Sequence, residues 1–129
     1  MDLIPENDVK RILVTGSTTW ADRDTIYRAL ARYPAGTTLI TGDTLGADEL
    51  AISAAVELGL KVQAMHKTAG DAQRHPEAPW KGLNERMLAS NIDLVLAFNS
   101  DLGKPGLARG TQHAVDLAVL AGISVEVFK

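Results

Sequence analysis

Three short apolar runs in this chain each break off at glycine or small hydroxyl residues and lead into a helical pattern, which confines it to folds that alternate strand and helix. The first, Arg11-Ile12-Leu13-Val14-Thr15, ends in Gly16-Ser17-Thr18. The second, Thr38-Leu39-Ile40, runs into Thr41-Gly42-Asp43-Thr44-Leu45-Gly46-Ala47-Asp48. The third, Asp93–Phe98, leads through Asn99 to Gly110-Thr111. Its almost unbroken apolarity suits a central parallel strand covered on both faces.

Read along the whole chain, the periodicity predicts strands over Arg11–Thr15, Thr37–Thr41, Lys61–Met65, Asp93–Phe98 and Ile123–Phe128. Helices are predicted over Asp22–Tyr33, Leu45–Leu58, Leu83–Ser90 and Thr111–Ala121. Ile26, Ala29, Leu30 and Tyr33 share one face of the first helix, which Pro34 stops. Leu50, Ala51, Ala54 and Leu58 share one face of the second, with Gly59 as its C-terminal cap. Ala114, Leu117, Ala118 and Ala121 do the same for the last, which Gly122 ends. This order implies a three-layer α/β fold with a five-stranded parallel sheet and about four helices. The polar, proline-bearing stretch from His66 to Trp80 reads as a long loop, either a lid or partner-contact segment or a plain surface excursion.

Bulk properties narrow the function. A chain of 129 residues makes one domain, here 10–129, with 1–9 as a flexible leader. The leader carries Asp2, Glu6 and Asp8 and lacks the apolar centre of a signal peptide, and no apolar stretch is long enough to cross a membrane. A cytoplasmic location is the expectation. With no cysteine, disulfides, thiolate catalysis and cysteine metal sites are excluded. His66, His75 and His113 lie far apart without metal-ligand spacing, so no metal and no cofactor is expected. A formal net charge of −3 and a pI near 5.5 argue against a general nucleic-acid binder.

The glycine-bearing strand ends are the candidate site. In parallel sheets ligands sit beyond the carboxyl ends of the strands, where strand order reverses. Helix N-termini there offer unpaired N–H groups, and glycine lets a phosphate approach the backbone. Gly16, Ser17 and Thr18 are phosphate-binding candidates, although neither a Walker A ending nor G-x-G-x-x-G is present. In the Gly42–Asp48 turn, Gly42 and Gly46 supply the close approach, and Asp43 or Asp48 can accept hydrogen bonds from a ribose or base. Capping explains the same residues more plainly: Thr44 or Asp43 as N-cap and Asp48 beside the helix dipole. Trp20 and Trp80 can each stack on a base or cover the core. Arg109-Gly110-Thr111 joins a forked guanidinium to a helix start and is the leading phosphate contact. Catalytic groups are few: Glu85, Asp48 and Asp43 are the acids within reach of the crevice.

Val14-Thr15-Gly16-Ser17, the Gly42–Asp48 turn, Asn84-Glu85-Arg86-Met87, Asp93–Phe98, Arg109-Gly110-Thr111 and Ala121-Gly122-Ile123, in that order, resemble the SLOG superfamily. The resemblance is nearest to its small YspA-like, cpYpsA-related branch and spans about Lys10 to Phe128. It implies a Rossmann-like fold that binds nucleotides or nucleotide-derived ligands, adds Asn84 to the ligand-binding set and favours a homodimer. Relatives include the Lonely Guy phosphoribohydrolases, whose P-G-G-x-G-T-x-x-E motif ends in a catalytic glutamate. That motif follows a helix bearing an arginine four residues before a methionine. Gly110-Thr111 matches the Gly-Thr, but the glutamate position is Ala114, the arginine position is Leu83, and the first glycines are replaced within a longer loop, Asn99–Ala108.

The leading expectation is therefore a protein that senses or sequesters a nucleotide, a cyclic dinucleotide or an ADP-ribose derivative. The alternative is a nucleotide hydrolase or phosphoribohydrolase-like enzyme in which Glu85 or Asp48 replaces the missing glutamate. A third reading is an interaction module for protein or single-stranded nucleic acid, as in the DNA-processing relatives.

Overall fold

A computed structural model describes residues 5–129. The first part of the expected leader lies outside the described residues. Its remainder forms a 3-10 turn over Glu6–Asp8 and brings Val9, 1% exposed, into the core.

Five strands and five helices follow: β1 (Arg11–Gly16), α1 (Arg23–Leu30), β2 (Thr38–Thr41), α2 (Ala47–Glu57), β3 (Lys61–Ala64), α3 (Ala69–Arg74), α4 (Pro79–Leu88), β4 (Leu94–Phe98), α5 (Arg109–Leu120) and β5 (Ser124–Phe128). All strands are parallel, in the order β3-β2-β1-β4-β5. β1 is central, with Leu13 in register with Ile40 on one side and Val95 on the other. Side chains of a strand point to alternate faces, and the core divides accordingly. Ile12, Val14, Leu94, Leu96 and Phe98 pack with α1 and α2. Leu13, Ile40 and Val95 pack with Leu83 and Met87 of α4 and Ala118 of α5. This is the three-layer Rossmann-like α/β arrangement that the alternation of elements predicts.

Local chemistry explains the ends of the elements. Asp22 caps α1 by accepting from the Thr25 N–H at 3.1 Å. α1 closes at Leu30, before the predicted Tyr33, because the chain tightens into a turn in which the Tyr33 N–H donates to the Leu30 carbonyl. α2 presents Ala47, Ala51, Ala54 and Ala55 to the sheet, a small-residue face that lets the helix pack closely. Gly59, at φ +75°, follows its C-terminal end as predicted. Its N-terminus differs from the prediction. Neither Thr44 nor Asp43 is the cap, because Gly46 occupies that position and the Ala47 N–H is satisfied by the Ser17 carbonyl at 3.0 Å.

The stretch read as a loop from His66 to Trp80 contains α3 and the start of α4. Thr68 and Asp71 form a reciprocal capping box that nucleates α3, and Pro79 opens α4 at its first position, four residues before the predicted start. No described helix is long and apolar enough to cross a membrane.

Candidate functional site

Strand order reverses between β1 and β4, since α1 and α2 cover one face of the sheet and α4 and α5 the other. The carboxyl ends of these two neighbours open into a cleft of about 490 Å³. Five polar side chains that line it are each less than a tenth exposed: Thr15, Asp48, Asn84, Asn99 and Thr111. Asp48, Asn84, Asn99 and Thr111 are held in place by hydrogen bonds within the protein, and a few fixed polar groups on a cleft wall are what orients a bound ligand.

One wall is the start of α5. Ala108 holds a left-handed conformation, φ 55°, and turns the chain into the helix without a side-chain cap. The first-turn N–H groups of Arg109, Gly110 and Thr111 therefore have no partner among the described residues. The Thr111 hydroxyl accepts from Asn99 Nδ2 at 3.1 Å. Asn84, on α4, donates through Nδ2 to the Gly110 carbonyl at 3.1 Å and meets His113 Nδ1 at the same distance. Burial lowers the pKa of His113, which suits a neutral ring accepting that bond. Arg109 is exposed at the rim, and Lys67, in the loop after β3, is exposed and lines the same cleft. Neither forms an ion pair among the described residues.

The opposite wall is built from glycines set against other atoms. A Cβ on Gly16 would stand 2.4 Å from the Phe98 carbonyl oxygen and 2.7 Å from Ala47 Cβ. A Cβ on Gly42 would stand 2.7 Å from Asp48 Oδ2. The Ser17 N–H donates to the Phe98 carbonyl at 2.9 Å, and its hydroxyl is shared with Thr19. Thr44 donates to Asp48 Oδ2 at 2.8 Å. Burial nevertheless raises the Asp48 pKa, because desolvation outweighs that bond.

Gly16, Ser17, Thr18, Gly42, Asp48, Asn84, Arg109, Gly110 and Thr111 all line the one cleft. Four predicted residues do not. Trp20 packs edge-on against Phe98, with ring centroids 5.6 Å apart, and donates its indole N–H to the Asp22 carbonyl, so it covers the core. Asp43 is turned away and paired with His66, which lowers its pKa. Gly46 serves backbone geometry: its φ is +78°, and a Cβ there would meet the Ser17 carbonyl at 2.4 Å. Glu85 is bound to His75 Nε2 at 2.8 Å on the outer face of α4. Asn99, Asp101, Lys67 and Thr15 line the cleft without having been singled out in the sequence, whereas Trp80, singled out there, is on the rim. The signal for Asn99 was present, since it directly follows the most apolar strand.

The cleft is braced from behind by Asp71 of α3, whose side chain is fully buried. It accepts from Arg86 Nε at 2.9 Å and Nη2 at 2.6 Å, from Arg74 at 2.9 Å and from the Thr68 N–H at 2.9 Å. The Arg86 hydrogen bonds hold its carboxyl far below the usual carboxylate range. Arg86 also donates to the His66 carbonyl, tying the loop after β3 to α4.

Two comparisons bear on this architecture. Residues 10–75, just over half of the chain, match the YspA, cpYpsA-related SLOG family, YAcAr. The chain is also 33% identical over 125 residues to the Gene 61 protein of Mycobacterium phage D29, an alignment covering 91% of this chain and 94% of that protein. The family match runs from β1 through α3 and includes the glycine-built wall of the cleft, with Gly16, Gly42 and Asp48. This chain belongs to the YspA, cpYpsA-related SLOG family.

Proposed function

We propose that the chain binds a phosphate-bearing, nucleotide-derived ligand in the cleft between β1 and β4. The observation that carries this reading is the set of five nearly buried polar side chains around one open cleft that ends at an uncapped helix start. The phosphate rests on the N–H groups of Arg109, Gly110 and Thr111, assisted by the guanidinium and by Lys67. Gly16, Ser17 and Thr18 form the facing wall, and Asp48 accepts from ribose hydroxyls. SLOG membership supports the ligand class. The role is sensing or sequestration, performed as a homodimer in the cytoplasm.

A second reading has one specific support, the raised pKa of a carboxyl group inside the cleft. Asp48 then acts as the acid/base group of a nucleotide hydrolase, since Glu85 is paired with His75 and does not line the cleft.

A thermal-shift panel of nucleoside monophosphates, dinucleotides and ADP-ribose species, with chromatography of each sample afterwards, separates the readings. Ligand at 100 times its dissociation constant adds about 2.7 kcal/mol of stability. A shift with intact ligand is the expected result. A consumed ligand makes the protein an enzyme, and no shift with any nucleotide overturns the proposal.

A further inference from the structure

Asn84 of α4, 7% exposed, uses its side-chain amide nitrogen twice: it donates to the Gly110 carbonyl and to His113 Nδ1, each at 3.1 Å. A carbonyl oxygen only accepts, so the Gly110 oxygen dictates which way round the amide sits. With the nitrogen turned to both partners, His113 Nδ1 faces an N–H and must present a bare lone pair. The ring is therefore neutral, with its proton on Nε2. Its place is fixed as well, because Trp80 stands edge-on to it, with centroids 5.6 Å apart at 82°.

Gly110 is the second residue of α5 and His113 lies three residues further on. The bridge from Asn84 thus ties α4 to the first turn of α5. That turn starts from the left-handed Ala108, φ 55°, without a side-chain cap, so it depends on ties from outside the helix.

The groups around the ring do little to favour a charge on it. On α4 these are Lys81 and Glu85, on α5 Asp116, and after α3 His75. Lys104 and Arg109 line with it a second cleft of about 420 Å³. Both acids are engaged elsewhere: Glu85 by His75 Nε2 at 2.8 Å, and Asp116 by Gln112 at 2.9 Å. Burial is the main influence and holds the pKa of His113 below the ordinary value of about 6.5.

We propose that His113 is a proton-operated latch on the start of α5. Neutral, it accepts from Asn84 and leaves that amide free to hold Gly110. Protonated, it sets N–H against N–H. The amide must then part from the ring, or turn its oxygen to the ring and abandon Gly110, where two oxygens would meet. Acidification thus loosens the helix start that forms one wall of the cleft, although the ring itself gains positive charge. Because the folded-state pKa is depressed, the cost appears as pH falls below the ordinary value and is complete below the lowered one. The latch belongs to the chain alone and is independent of what the cleft binds.

The test is nuclear magnetic resonance of the full chain between about pH 8 and 5. At the upper end the ring is expected to show Nδ1 bare and Nε2 protonated. On acidification the Asn84 side-chain amide and the backbone amides of Gly110 and Thr111 should shift with the same midpoint as the His113 ring, below about 6.5. The Gln112 N–H closes the first turn on the Ala108 carbonyl at 2.8 Å. Its protection from hydrogen exchange, and that of Ala114, should fall about tenfold across the midpoint, the worth of one hydrogen bond. His113→Asn can place an amide oxygen near the position of Nδ1 and does not titrate, so its protection should stay level over the same range. A proton on Nδ1 at neutral pH overturns the latch, as does a His113 titration that Asn84 and the α5 amides do not follow. Equal loss of protection in His113→Asn assigns the effect to another group and overturns it too. Should that variant not fold, the wild-type titration decides alone.

Discussion

Gly82 of α4 lies directly against Asp71 of α3: a Cβ on Gly82 would stand 2.7 Å from both the Cβ and Oδ1 of Asp71, and 2.8 Å from its Cα. The bare backbone at this position lets the short α3 dock closely enough for Asp71 to be sealed beneath two arginines. The glycine therefore sets the position of the whole segment from His66 to Trp80, and with it the two rim groups Lys67 and Trp80.

Gly82→Ala is expected to destabilise the protein. Alanine favours a helix interior over glycine by about 1 kcal/mol, but forcing a methyl group against backbone and Cβ atoms costs about 1–3 kcal/mol. A lower denaturant midpoint with an unchanged slope would show it. Faster hydrogen exchange confined to Thr68–Arg74 would locate the damage in α3.

Asp71→Asn is expected to lower the melting temperature at neutral pH, because a buried carboxylate bound to two guanidinium groups is replaced by a neutral amide. The Asp71 pKa is depressed in the folded state. Its contribution is present above the ordinary carboxylate value, about 4, and is lost as pH falls towards the lowered one. Thermal scans of both proteins should differ at neutral pH and draw together in strong acid. A constant difference across that range would rule out ionisation as the cause.

Asp48 carries the opposite sign. Burial raises its pKa, so the folded state holds the proton more tightly than the unfolded chain. That favours folding below about pH 4 and is lost as pH rises through the folded value. Asp48→Asn is thus expected to be more stable than the wild type at neutral pH and to match it in acid. The same substitution removes the charged acceptor proposed for ribose and should weaken nucleotide binding about tenfold. Melting curves across pH, paired with titration calorimetry, test both halves.

Arg109→Ala is expected to leave stability within about 0.5 kcal/mol, since the side chain is exposed and forms no ion pair among the described residues. Affinity for a phosphate-bearing nucleotide should fall by roughly ten- to a hundredfold, the worth of charge-assisted hydrogen bonds. Equal affinity in variant and wild type would remove Arg109 from the site.

The strand and helix alternation, the parallel sheet and the three glycine-bearing strand ends were legible in the sequence because each rests on local spacing. Apolar runs mark buried strands, a 3.6 repeat marks a helix face, and glycine marks a turn or close approach. Even α3 left a trace, in the Thr68-x-x-Asp71 capping pair, though a short polar helix shows no apolar repeat to reveal it. Direction and partnership were not legible. Asp43 and Asp48 stand five residues apart in one turn, yet one pairs outward with His66 and the other is sealed into the cleft. Trp20 and Trp80 looked alike as loop aromatics, and only packing turned one onto Phe98 and the other onto the start of α5. Glu85 was drawn off by His75, a residue ten positions earlier on another element. Local pattern determines which elements form. Which side chains meet at the site is decided by the order of the strands, which brings β4 beside β1 and sets α4 and α5 against the ends of both.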